Sequence, residues 1–323
     1  MNLNDIEHKI FDIQSDLEFE NLALRIFEYQ YQNCTIYNQY CNLLNIELNA
    51  INKIEKIPFL PIQFFKTQTV KSGNFKKEMV FSSSGTTGNN TSKHYIKDLT
   101  LYEKSFFTTF NYFYPNWRKN SIIGLLPSYL ERDDSSLIYM VQNLIQRSEN
   151  NDSKFQLNLT TEFIKYLECD PNPKIVFGVT FALLQMAEKN IKLRNSIVIE
   201  TGGMKGRGKE LTREDLHHVL KQTLQPKAIH SEYGMTELLS QAYYQKDVFK
   251  TPPWLKALVR EPNDPLTSYK SGKGALNLID LANLHSCSFV ATDDLGTVTE
   301  KKGFTVSGRI DHAQIRGCNL LVL

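Results

Sequence analysis

The 323-residue chain reads as an α/β protein, and three observations carry that expectation. Short apolar runs recur from about residue 75 onward, stretches of helical period separate them, and small or polar residues follow each run. Alternation of this kind suits a mostly parallel sheet covered by helices.

Taken in order, residues 1–75 form an expected N-terminal helical region, with Leu22, Leu24, Ile26 and Phe27 at helical spacing. Pro58 and Pro61 then exclude a continuing helix. An α/β core is expected over 76–270. Its strands are the runs 79–81, 122–126, 175–179, 197–199 and 228–229, apolar enough to be buried on both faces. Its helices are the amphipathic stretches 135–146, 181–190 and 212–224, the last opened by Thr212 with Asp215 three residues on, close to a capping box. Beyond about residue 270 glycines become dense, and 288–291 and 305–307 read as strands of a small β lobe over 271–323.

Composition removes several classes of function. A formal charge of +2 argues for neither a nucleic-acid nor an anionic-membrane partner. No apolar stretch reaches the ~18 residues of a membrane span, and the N-terminus lacks the basic start and apolar core of a signal peptide. Cys34, Cys41, Cys169, Cys287 and Cys318 are odd in number and widely spread, which fits reduced thiols in a cytoplasm. The seven histidines form no ligand pattern, so no structural metal is expected.

The densest chemical signal is Phe81-Ser82-Ser83-Ser84-Gly85-Thr86-Thr87-Gly88, followed by Asn89-Asn90-Thr91-Ser92-Lys93. Hydroxyls and glycines after an apolar strand suit a loop whose N–H and O–H groups donate to phosphate oxygens. Asn90 stands where a Walker loop needs its second glycine, so this is another kind of phosphate loop, or an exposed flexible one.

The Ser/Thr/Gly run resembles the phosphate-binding signature of the adenylate-forming superfamily, and four further segments follow in that superfamily's order. Thr201-Gly202-Gly203-Met204 resembles the glycine pair that lies against adenine. Tyr233-Gly234-Met235-Thr236-Glu237 resembles the YGxTE signature, Thr292-Asp293-Asp294 the TGD signature, and Gly308-Arg309-Ile310-Asp311 the GRxD signature. The resemblance implies that Ser83, Ser84, Gly85, Thr86, Thr87 and Gly88 grip the phosphates of ATP and that Gly202, Gly203 and Gly234 border adenine. It implies that Tyr233 stacks on the base, Thr236 bonds the α-phosphate, Glu237 holds Mg²⁺, Asp294 and Arg309 reach the ribose, and Asp311 sits at a hinge. The residue types agree: a carboxylate suits a hard cation, and an aromatic face suits a purine. Structural alternatives stand beside these roles, with Tyr233 as core, Glu237 at a helix end, and Asp293 and Asp294 shaping a turn before Gly296.

Within the superfamily the chain resembles the LuxE-type acyl-protein synthetases, relatives of phenylacetate-CoA ligase. Ser92-Lys93-His94, the segment from Leu126 to Arg132, Ser135-Ser136-Leu137, Phe177-Gly178-Val179-Thr180 and the ending from Arg309 to Cys318 carry that resemblance. It implies the layered fold of an adenylate-forming N-terminal domain. It also implies ATP and Mg²⁺, a carboxylic and in this family fatty acid as substrate, transfer to an enzyme cysteine as thioester, and an acyl reductase or other acyl-accepting protein as partner.

The superfamily continues well past GRxD into a lid that supplies a catalytic lysine, whereas this sequence runs twelve residues past Asp311, so no lid is expected. Lys93, Lys205, Arg207 and Arg316 are the candidates for the missing charge. Cys318, with Arg316 nearby to favour its thiolate, is the expected acyl acceptor, the alternative being a buried thiol in a final strand. His94 either orients a carboxylate or is structural, and Phe106, Phe107, Phe177 and Phe181 either line an acyl pocket or belong to the core. An external thiol acceptor, coenzyme A or a carrier protein, is the alternative activity, and a non-catalytic nucleotide- or acyl-binding subunit the alternative class.

Overall fold

The computed structural model describes residues 3–83, 91–126, 133–202, 211–264 and 266–310. The first stretch holds α1 (Leu3–Phe11), α2 (Asp16–Asn33), α3 (Thr35–Leu43), the short strand β1 (Leu60–Pro61) and the single turn α4 (Phe64–Thr67). Next come β2 (Met79–Ser82), β3 (Lys93–Ile96), α5 (Leu99–Phe113), β4 (Ser121–Leu125), α6 (Ser136–Arg147), β5 (Lys154–Phe155) and α7 (Thr161–Cys169). They are followed by β6 (Lys174–Gly178), α8 (Thr180–Glu188), β7 (Ser196–Thr201), α9 (Arg213–Leu224), β8 (Ala228–Tyr233) and β9 (Ala242–Gln245). The last stretch is β10 (Val248–Lys250), β11 (Leu255–Arg260), β12 (Ser268–Tyr269), β13 (Gly272–Asp280), β14 (Phe289–Thr299) and β15 (Gly303–Arg309).

Local chemistry places these elements. Ser15 and Glu18 form a reciprocal capping box at the start of α2, and Thr212 Oγ1 accepts from Asp215 N at 3.1 Å at the start of α9. Each side chain satisfies amide donors that the first helical turn leaves unpaired. No helix among the described residues is long and apolar enough to cross a membrane.

The chain divides into two compact units. Residues 78–93 and 98–246 make one, built on the sheet order β9-β8-β7-β6-β4-β5, parallel throughout except for β9. Every residue of β4 and β6 is buried, as a parallel strand covered on both faces requires. Phe106, Phe110 and Phe177 are inaccessible, and the rings of Phe110 and Phe177 stack with centroids 5.7 Å apart. These aromatics are core.

Residues 1–77, 94–97 and 247–323 make the other unit. Its sheet runs β12-β11-β13-β14-β15-β10, antiparallel, with β1 added parallel to β14. Proline-bounded β1 fits there because a two-residue strand at the margin needs few donors. Helix α2 is anchored to this unit by Gln30, fully buried, whose Nε2 donates to Asn283 O and Leu284 O at 3.0 Å each and whose Oε1 accepts from Ser288 N at 2.9 Å. Phe27, Tyr37 and Phe59 close around Phe289, Tyr37 stacking on it at 6.0 Å.

Strands begin well before the expected position of about residue 270, with β10 to β12. In Leu255–Arg260 the charges of Lys256 and Arg260 break the apolar run that marks a strand. Arg260 is nevertheless buried, its guanidinium donating to Leu276 O, Asn277 Oδ1 and Thr292 O. Partners supplied by neighbouring strands make such a charge tolerable inside, and they are invisible in the local sequence.

Candidate nucleotide site

In the β4–β9 unit, parallel register sets the ends of β7 and β8 side by side, with Thr201 opposite Glu232. Open α/β sheets bind ligands at this carboxyl edge of their strands. Gly202 follows β7 with φ +72°, a conformation an L side chain resists. Thr180, first residue of α8, holds its Oγ1 2.7 Å from Gly202 O and 2.9 Å from Glu200 Oε1, its one hydroxyl proton shared between the two acceptors. Tyr233 is the half-buried last residue of β8, and the exposed Gly234 follows it. Two adjoining strand ends therefore present glycine backbone beside an aromatic ring, a surface suited to a flat purine.

Thr236 and Glu237 lie in the turn after β8, and Glu237 is buried at 5% exposure. That turn is not helical, so a helix-end role for Glu237 is set aside. A buried carboxylate needs protein donors or a cation, and oxygen donors of this kind suit Mg²⁺.

The Ser/Thr/Gly loop is described only at its neck. Ser83 N donates to Ser92 O at 3.0 Å, and Ser92 N to Ser83 Oγ at 2.9 Å. Ser92 Oγ is buried without a partner among the described residues, a hydroxyl left over where phosphate oxygens are expected. Lys93, the exposed first residue of β3, follows immediately. Ser84, Gly85, Thr86, Thr87, Gly88, Gly203, Lys205, Arg207, Asp311, Arg316 and Cys318 lie outside the described residues, as do residues 127–132.

In the antiparallel unit, Asp294 on β14 pairs in register with Arg309 on β15. Arg309 Nε donates to Asp294 Oδ1 at 3.0 Å, with the arginine side chain 81% exposed and the aspartate 8%. The pair is open to water only on the arginine side, the aspartate being buried. Both aspartates lie inside β14 rather than in a turn. Alternation sends Asp293 to the other face of the strand, where its two oxygens accept from Gln63 Nε2 at 2.6 Å each. His94 belongs to this unit, buried, its Nε2 2.8 Å from Ser286 Oγ and its ring edge-on to Phe65. These contacts make it a structural histidine.

Burial also sets the ionisation of the β4–β9 unit. His217, bonded to Ser231 Oγ at 2.9 Å, and His230, bonded to Tyr114 OH at 3.0 Å, are both held down to about 4 by desolvation. Desolvation acts oppositely on a carboxyl and pushes Glu232 up to about 7. For the two histidines the unfolded chain binds more protons between about 4 and the free value of 6.5. Their contribution is therefore present above 6.5 and lost as pH falls towards 4. Glu232, raised from 4.5, acts in the opposite sense over much of that window and is common to both proteins, so the test is the difference. The thermal midpoint is expected to fall further from pH 6.5 towards 4 in wild type than in His230→Gln, which keeps a polar group for Tyr114 but cannot take up a proton.

Motif reading did not single out Glu232 or the Thr180 bridge. The available signal for Glu232 was its place in the chain, an acid directly before Tyr233.

The chain has the fold of the adenylate-forming enzymes' N-terminal domain. ATP-bound MatB from Rhodopseudomonas palustris aligns over 71% of this chain and 47% of its own, with a TM-score of 0.52 at 16% identity. The amide bond synthetase McbA from Marinactinospora thermotolerans aligns over 71% and 48%, with a TM-score of 0.50 at 15% identity. The chain thus spans about half the length of those solved proteins. More particularly, it is similar to two long-chain-fatty-acid–luciferin-component ligases. That of Aliivibrio fischeri is 24% identical over 344 residues, covering 96% of this chain and 89% of the relative. That of Vibrio harveyi is 20% identical over 323 residues, covering 91% and 84%. No family model matches the chain. The resemblance to LuxE-type synthetases is thereby borne out over nearly the whole length, at low identity.

Proposed function

We propose that the chain activates a carboxylic acid with ATP and passes the acyl group to a thiol. The observation that carries this reading is the side-by-side placing of the Thr201–Gly202 and Tyr233–Glu237 strand ends in the β4–β9 unit. Similarity along nearly the whole chain to two fatty-acid ligases supports a fatty acid as substrate. In the reaction a carboxylate oxygen bonds to the α-phosphorus of ATP as the bond to pyrophosphate breaks, leaving an acyl adenylate. Within the β4–β9 unit Tyr233 and the two glycine turns receive the base, and Thr236 the α-phosphate. The hydroxyls at 83–87 receive the departing phosphates, with Lys93 beside them. Glu237 is the residue to hold Mg²⁺, which when bound neutralises charge gathering on pyrophosphate.

For the second step a thiolate attacks the acyl carbonyl and AMP leaves. Cys34, Cys41 and Cys287 are buried, and desolvation raises the pKa of each thiol, which disfavours them as nucleophiles. Cys169 at the end of α7 is exposed, so burial leaves Cys169 beside Cys318, and it is the resemblance of the ending from Arg309 to Cys318 that favours the latter. We assign the acceptor role to Cys318, and an acyl reductase or another acyl-accepting protein is the partner this assignment calls for. Incubation with Mg·ATP and radiolabelled fatty acids, followed by peptide mapping, is expected to find label on Cys318, absent from Cys318→Ser and released by hydroxylamine. Adenylate and pyrophosphate without any adduct would instead indicate an external thiol. Neither product across a broad acid panel would leave a non-catalytic binding subunit.

A further inference from the structure

At the end of β8 an acid sits where strand alternation turns it away from α9. Glu232 Oε2 accepts from Thr201 Oγ1 at 2.7 Å. Its Oε1 occupies the space that a side chain at position 234 would need, since a Cβ built on Gly234 would lie 2.1 Å from it. One carboxyl thus bonds to β7 through Thr201 and lies against the turn after β8 at Gly234. From the other direction Thr180 Oγ1 holds Gly202 by its carbonyl.

We propose that Glu232 is a positioning residue for the nucleotide, its carboxyl holding the Thr201–Gly202 and Gly234 turns at the separation the base requires. This rests on reading those turns as the seat of the base, and Glu232 itself touches no reacting atom.

The groups facing it are Thr201 from β7, with Glu200 one residue back on the opposite face, His230 from β8, and Tyr243 from β9. Tyr102 of α5, Tyr114 at its C-terminal end, and Gln241 beside Gly234 complete the surround. None of these carries a positive charge at neutral pH, because burial holds His230 down to about 4. With its carboxyl pushed up to about 7, Glu232 is mainly the neutral acid below that pH and an uncompensated anion above it. An anion there opposes a polyanionic nucleotide through weakly screened surroundings.

The test is calorimetric titration of the full chain with Mg·ATP for wild type, Glu232→Gln, Glu232→Ala, Thr201→Val and Thr201→Ser. Wild-type affinity is expected to fall about fivefold between about pH 6 and pH 8. Glu232→Gln keeps the acceptor and the shape but cannot ionise, so it is expected to hold the low-pH affinity at both values. Glu232→Ala and Thr201→Val are expected to weaken ATP by about tenfold, and Thr201→Ser to restore it. Their KM for the acid in ATP–pyrophosphate exchange should stay unchanged. If wild type binds ATP but Glu232→Gln retains the wild-type pH slope, or Thr201→Val binds as wild type does, the positioning role is overturned and the adenylation reading stands. The Thr201 pair decides the matter alone if the alanine variant fails to fold. Absence of ATP binding by wild type at either pH would overturn both.

Discussion

Glu237→Gln is expected to lower acid-dependent ATP–pyrophosphate exchange by about 10²- to 10³-fold while leaving the fold intact. The two side chains are nearly the same size, so the buried turn that carries Glu237 stays filled. On the proposed role, what is lost is a carboxylate ligand for a divalent cation, which glutamine cannot replace. The deficit should be largest at low Mg²⁺ and should narrow as Mg²⁺ rises, because a weakened cation site is refilled by mass action. A variant that exchanges pyrophosphate at the wild-type rate across the Mg²⁺ series would remove Glu237 from that role. Unfolding of the variant would be seen independently by circular dichroism.

The largest expected loss of stability is at Gly303. Its φ is +125°, and a Cβ there would lie 2.1 Å from the backbone oxygen of Phe249 in the neighbouring strand β10. A clash with backbone cannot be relieved by rotating a side chain, so Gly303→Ala must separate the Phe249–Phe304 pairing or strain the turn before β15. A cost of about 3 kcal/mol or more follows from strain and contact together. Of the two tryptophans, Trp254 belongs to this unit and Trp117 to the other, so urea unfolding followed by Trp254 fluorescence in a Trp117→Phe background isolates the effect. The midpoint should fall clearly. Gly308→Ala is the control, since a Cβ at Gly308 meets nothing within 4 Å.

Strands β4, β6, β7 and β8 and helices α6, α8 and α9 were legible in the residues, whereas β5, α5 and α7 were not, and the run 79–81 pairs with β3 in a separate two-stranded sheet instead of joining the parallel one. Runs such as 175–179 are apolar because both faces of β6 are covered, and helix starts are marked because Ser135 and Thr212 satisfy amides only a few positions away. The candidate nucleotide residues were legible as types in order. Their pairing was not. Asp294 and Arg309 are fifteen residues apart, and only the antiparallel register of β14 and β15 sets them in contact. Arg260 and Gln30 likewise read as surface residues until strands and loops far along the chain supply their hydrogen-bond partners.

Sequence alone therefore determined what depends on near neighbours: the period of each element, the caps, the breaks at Pro58 and Pro61, and the chemistry of each candidate side chain. Tertiary structure decided what depends on distant chain segments meeting. It packed the N-terminal helices with the strands after residue 247 in one unit, and it set Thr201 beside Glu232. Glu232 shows the physical reason. Its ionisation follows from desolvation and from the carboxyl and hydroxyls around it, and these belong to β7, α5 and β9, elements that come together only in the folded chain.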